Sequence, residues 1–246
     1  MEIADHVDAL RRDGARLAEV ADRAGLDAAV PTCPDWRVAD LLRHLGGVHR
    51  WAASFVVTGR SRGTTPEETA ELFAAPGDDE LLGWFRAGHE ALVAALAGAD
   101  PSTACWTFLP APTPLAFWAR RQAHETAIHR VDAEAAASEV TGCAPGFAAD
   151  GIDELLNGFL SRSRGRLVAD PPVSLAVRAT DVDAAWTMHI EPDRRRVAAG
   201  AHPADATVAG SASDLYLFLW NRADATTLDV QGDRAVLALW RSRATI

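Results

Sequence analysis

Apolar residues return every three or four positions at the start of the chain. Ile3, Val7, Leu10, Leu17 and Val20 fall on one face of a helix spanning 2–24, and Gly25 follows as its C-cap. Two prolines in the stretch Val30-Pro31-Thr32-Cys33-Pro34 break the chain. Asp35 then stands as N-cap for a second helix over 36–58. Residues 59–77 read as a loop with one short turn, and Asp78 and Asp79 cap a third helix over 79–98. Prolines 101, 110, 112 and 114 impose a rigid, irregular connection. A fourth helix follows over 115–138, and a short fifth over 147–162 begins after Pro145-Gly146.

After about residue 170 the hydrophobic period shortens to two. Segments 173–180 and 185–190 alternate as strands, with 181–184 as the hairpin turn, and 205–208 and 227–230 are further strands. Ser211 to Trp220 reads as a helix capped by Ser211 or Ser213, and Gly232-Asp233 opens a last helix to about 242. The pattern predicts an α+β protein of two domains, a helix bundle over 1–165 and a small α+β domain over 166–246.

Composition narrows the classes. At 246 residues, 48% of them hydrophobic, the chain is long enough to bury a core in each domain. No run of 18 apolar residues exists, and the N-terminus lacks the basic and apolar regions of a secretory signal, so the expectation is a cytoplasmic protein without a membrane partner. A net charge of -10 argues against nucleic acid, which calls for a basic footprint. Cys33, Cys105 and Cys143 are odd in number and widely spaced, which fits a reducing compartment rather than a disulfide framework. All 24 basic residues are arginine, so lysine chemistry is excluded. There is no GxGxxG, P-loop or GxSxG motif to support nucleotide binding or serine hydrolysis.

The chemistry-bearing residues lie on the second and fourth helices. Glu125 and His129 are four apart, which on a helix places their Cβ atoms about 6 Å apart on one face. His124 is rotated about 100° away from that face. His44 lines up with Leu41, Val48, Trp51 and Phe55, so it faces the bundle interior. If the second helix packs against the fourth, His44, Glu125 and His129 meet, and two histidines with one carboxylate are a catalytic zinc pattern, or a ferrous or nickel one. The bland alternatives stand beside this: a Glu–His pair at this spacing is common on helix surfaces, and a histidine on an apolar stripe is more often a hydrogen-bonded core residue. Asp132 fits either an outer partner of His129 or a surface acid pairing with Arg130.

Two segments carry a resemblance. VPTCPDWRVADLLRHLGGVHRW from Val30 to Trp51, with HETAIHRVDAE from His124 to Glu134, resembles the mycothiol-dependent maleylpyruvate isomerase family. VAGSASDLYLFLWNR from Val208 to Arg222 and LDVQGD from Leu228 to Asp233 look like segments of that family's second domain. The resemblance implies a DinB-like four-helix bundle followed by a sterol-carrier-like α+β domain. It implies His44, Glu125 and His129 as ligands of a divalent metal, zinc first and nickel or iron as alternatives. It also implies mycothiol as thiol cofactor and an electrophilic small molecule as substrate. The thiolate would attack an electrophilic carbon, as in an isomerase or S-transferase. Arg222 falls where the family has an arginine that reaches toward the active site, here with Asn221 replacing the glycine that usually precedes it. A metal-dependent hydrolase without thiol cofactor and a non-catalytic small-molecule or lipid-binding protein are the competing functions, and the chain is expected as monomer or homodimer.

Overall fold

The computed structural model describes residues 1–162 and 165–244 and divides into two compact units, Met1–Thr141 and Gly142–Ile246. The division lies ahead of the boundary expected at 165. The fifth helix, expected over 147–162 ahead of that boundary, packs on α-helical and strand residues of the second unit. The last two residues of the expected second domain, 245 and 246, lie outside the described residues.

The first unit holds α1 (Ile3–Ala24), α2 (Val38–Thr58), α3 (Pro66–Leu72), α4 (Asp78–Gly98) and α5 (Pro114–Ala136). α2 begins later than the sequence suggested. Asp35 is not its N-cap: it sits at φ 72° in a tight loop that Ala29 and Arg37 close by an isolated bridge. The Val30 N–H donates to the Trp36 carbonyl at 2.9 Å, so the chain turns helical only after Trp36, and Asp40 caps back onto the Arg37 N–H at 2.9 Å. The turn expected between 59 and 77 is α3, started by Thr65, whose hydroxyl accepts from the Glu68 N–H at 3.2 Å.

α5 lies against α1, while α2 packs on α4 and α5. Leu17, Val20, Leu41, Leu42, Leu45, Leu81 and Phe85 are sealed in one cluster, each burial contributing on the order of 2 kcal/mol. α5 is buried on almost every side, its charged residues included: Arg121, Arg130, Asp132 and Glu134 are all inside. Gly14 lets α1 approach α4 closely, because a Cβ there would stand 2.2 Å from the His89 ring. An aromatic cluster fixes the proline-rich connection. Phe55 stacks on Trp118 with centroids 4.9 Å apart, and the Trp118 indole N–H donates to the Trp106 carbonyl at 2.9 Å.

In the second unit α6 (Pro145–Asp153) runs straight into a π-helical segment, Glu154–Leu160. Five strands follow: β1 (Val173–Ala179), β2 (Ala185–Ile190), β3 (Arg195–Ala199), β4 (Ala206–Gly210) and β5 (Asp229–Gly232), arranged in the order β3-β2-β1-β4-β5. β1, β2 and β3 are antiparallel neighbours, β4 runs parallel to β1, and β5 returns antiparallel to β4. α7 (Ala212–Leu219) and α8 (Arg234–Arg243) complete the unit, capped by Ser211 and Asp233. Leu175, Val177, Met188, Ile190 and Val208 form the buried face. β3 was not expected, because an arginine fills its inward position: Arg195 is buried and its guanidinium donates to the Leu160 carbonyl at 2.8 Å.

Candidate metal centre

α2 and α5 bring the three residues together. One carboxylate oxygen of Glu125, Oε1, stands 3.4 Å from Nε2 of His44 and 3.4 Å from Nε2 of His129. The three donor atoms all lie within 4.8 Å of one another. Bonds of about 2.0–2.2 Å from each would meet at a common point. The donor set is that of a borderline divalent ion, so the residues present fit such a metal. His44 has 35% of its side chain exposed, Glu125 23% and His129 10%, so the group opens on the α2 side and is closed on the α5 side.

The two members of the trio on α5 have fixed orientations. Asp132 is fully buried, and its Oδ2 accepts from Nδ1 of His129 at 2.8 Å, which leaves Nε2 to face Glu125 and His44. Asp132 also accepts from the Thr32 hydroxyl at 2.6 Å and the Cys33 thiol at 3.4 Å, so one carboxylate ties the loop before α2 to the ligand helix. Both sequence readings of Asp132 are thereby decided in favour of His129. The second oxygen of Glu125, Oε2, accepts from the Arg121 guanidinium at 3.1 Å. Trp36, from that same loop, covers the imidazoles: its ring stacks on His129 at 6.1 Å and lies tilted to His44 at 5.1 Å.

Charge follows this geometry. Burial works against ionising Glu125, yet the two imidazoles and Arg121 outweigh it and hold its carboxyl well below the usual range. Burial likewise opposes an imidazolium at His129, but Asp132 and Glu125 prevail and raise it to about 9. His49, five residues after His44 on α2, pairs with the Thr126 hydroxyl of α5 at 2.9 Å, and burial drives its pKa well below the ordinary value. It is the neutral core histidine that the stripe argument had equally allowed for His44. His124 turns away from the trio and packs edge-on against His6 at 5.9 Å.

Sequence reasoning passed over Arg121 and Trp36. The first was signalled by its place one helical turn before Glu125 on the same stripe; the second, in a non-helical loop, had no periodic signal. Arg222 belongs to the second unit. It follows α7, where its backbone N–H donates to the Leu217 carbonyl at 2.8 Å and its guanidinium to the Trp220 carbonyl at 3.0 Å. Asn221 before it adopts the left-handed conformation at φ 60°, the one a glycine would take, so the turn survives the replacement. Among the described residues no disulfide forms, and Cys33, Cys105 and Cys143 are thiols. No helix of the described chain is long and apolar enough to cross a membrane.

Two solved structures share the fold. The crystal structure of the mycothiol-dependent maleylpyruvate isomerase matches with a TM-score of 0.65 at 12% identity, over 94% of this chain and 93% of that one. A histidine-to-alanine variant of it matches with a TM-score of 0.67 at 12% identity, over the same 94% and 93%. Comparison with curated protein sequences finds no match. The model of the mycothiol maleylpyruvate isomerase N-terminal domain matches residues 7–134, a span that contains all three candidate ligands. The model of the corresponding C-terminal domain matches 146–239. Matched over most of its length in both units, the chain belongs to the mycothiol maleylpyruvate isomerase family.

Proposed function

We propose that this chain is a divalent-metal-dependent enzyme that uses mycothiol to act on an electrophilic small molecule, isomerising it by reversible thiol addition. The observation that carries the reading is the convergence of His44, Glu125 and His129, with donor atoms within 4.8 Å, inside the span of the family's N-terminal domain. Zinc suits two imidazoles and a carboxylate, with nickel and iron as the other ions of that donor set. A bound divalent ion would supply a positive charge that lowers the pKa of a thiol beside it.

The remaining work falls to the chain. Asp132 keeps the Nε2 lone pair of His129 turned inward, and Trp36 shields the imidazoles from water on one side. The exposed edge of His44 leaves room for a thiol to approach. In the proposed reaction a thiolate adds to one carbon of a conjugated double bond, the resulting single bond rotates, and the thiolate leaves with the double bond restored, so no net atom is gained. Retention of the thiol on the product would make the same chemistry an S-transfer. A guanidinium pairs with a carboxylate through two parallel hydrogen bonds, and recognition of a carboxylate is the role that the family resemblance gives Arg222.

Elemental analysis of gently purified protein tests the centre: about one zinc, nickel or iron per chain is expected, and none in His129→Ala. Turnover of maleylpyruvate with and without mycothiol tests the reaction. Turnover that persists after complete thiol removal would replace this reading with hydrolysis or another thiol-free reaction.

A further inference from the structure

The carboxylate of Glu125 is divided between two tasks. Oε1 faces both histidines, at 3.4 Å each, while Oε2 points the other way and receives the Arg121 guanidinium at 3.1 Å. Arg121 is not a surface residue reaching in: it is 3% exposed, four residues before Glu125 on a helix buried on nearly every side. A buried guanidinium is costly unless its hydrogen bonds are satisfied, and once paired it resists displacement. The fork is planar and rigid, so the oxygen it holds is fixed in direction as well as in charge. The same helix therefore carries four groups in one line, Arg121, Glu125, His129 and Asp132, in which the outer pair orients the inner pair.

From this geometry we propose that Arg121 is a positioning residue that restricts Glu125 to binding a metal through Oε1 alone. The inference rests on the metal reading above and deepens it. A carboxylate left to itself often chelates through both oxygens. With Oε2 committed to Arg121, Glu125 would offer a bound metal one oxygen, His44 and His129 would offer one nitrogen each, and a thiol and a substrate oxygen could take the remaining positions. The ligand trio alone does not guarantee those open positions; the arginine does.

Infrared difference spectra of cobalt-loaded minus metal-free protein test this, because the gap between the antisymmetric and symmetric carboxylate stretches is wide for one-oxygen ligation and narrow for two. Wild-type protein is expected to show the wide gap. Arg121→Met is expected to show the narrow one. Arg121→Lys, which can offer one N–H to Oε2, is expected to restore the wide gap. In the same samples, binding of 2-mercaptoethanol to the cobalt form, read from its sulfur-to-cobalt absorption, is expected to weaken about tenfold in Arg121→Met, at the low end of what losing an outer partner costs. A merely structural arginine would change folding stability and leave the stretch gap alone. A narrow gap in the wild type overturns the inference without any variant, and a wide gap in folded Arg121→Met overturns it as well. Failure of wild-type protein to take up cobalt or zinc at all would instead remove the metal reading on which it stands.

Discussion

Single residues set the proton traffic at this centre. His129 is raised to about 9 in the metal-free protein, where Asp132 and Glu125 stabilise its cationic form against the cost of burial. A ligand nitrogen must be unprotonated, so metal uptake has to expel that proton. Zinc affinity is therefore expected to climb by about tenfold per pH unit from neutrality and to level off near pH 9, as competition with a chromophoric chelator would show. Folding responds in the opposite sense. A group whose folded pKa exceeds its unfolded value stabilises fully below the unfolded value, about 6.5 for histidine, and that contribution fades as the pH rises through the folded value. Metal-free protein should accordingly lose urea resistance between pH 7 and pH 10, and Asp132→Asn should flatten that loss. Asn221 gives a second residue-scale test. Its left-handed φ of 60° suits Asn and Gly but costs a side chain without a local hydrogen bond about 1 kcal/mol. Asn221→Gly keeps that φ but loses the hydrogen bond its Nδ2–H donates to the Ala244 carbonyl at 3.0 Å, so it is expected to lower the unfolding midpoint modestly, and Asn221→Ala, which adds the φ cost, to lower it further.

At the scale of helices and strands, α5 dominates. It buries a charged hub at its C-terminal end, where Glu134 accepts from Arg130 at 2.7 Å, from the Thr141 N–H at 2.8 Å and from Arg16 at 3.1 Å. Arg130→Met removes one charge-assisted partner while Thr141 and Arg16 stay on Glu134, so it is expected to cost about 1.5–3 kcal/mol in denaturant unfolding. The α1–α4 approach is equally unforgiving: Gly14→Ala drives a methyl into the His89 ring and is expected to cost about 1–3 kcal/mol. These elements also show what a sequence reveals. The long helices were legible because Leu10, Leu17, Leu41, Leu45 and Leu81 repeat at helical spacing, and the trio was legible because Glu125 and His129 share a stripe. β3 was hidden because Arg195 occupies an inward position where alternation demands a hydrophobe. The start of α2 was misplaced because a bridge between Ala29 and Arg37, not local capping chemistry, decides where the loop ends. Trp36 was missed for the same reason: its place over His129 depends on how that loop folds back, which no period encodes.

Taken whole, the molecule divides its sequence between a helical unit that holds all three candidate ligands and a sheet unit that holds Arg222. A ligand that binds only the folded form raises stability by mass action, and here the effect should be confined to the unit that binds it. Adding zinc is therefore expected to slow amide hydrogen exchange in α2 and α5 by tenfold or more at saturating metal, roughly the gain at ten times the dissociation constant, while strands β1 to β5 keep their rates. Equal slowing in both units would contradict that expectation.

Two of the candidate ligands share one helix and the third comes from another, and this asymmetry has a bearing on time as well as on affinity. Glu125 and His129 are held ready by their own helix neighbours, so an arriving ion meets them as a finished half-site. His44 comes from α2, beside a loop pinned by Thr32 and Cys33 to Asp132, and its donor atom already stands within 4.8 Å of theirs. A local opening of α2 would therefore part the trio while leaving the pair on α5 together. The lifetime of a loaded protein would then follow how firmly α2 stays packed on its neighbours, not the strength of any single bond.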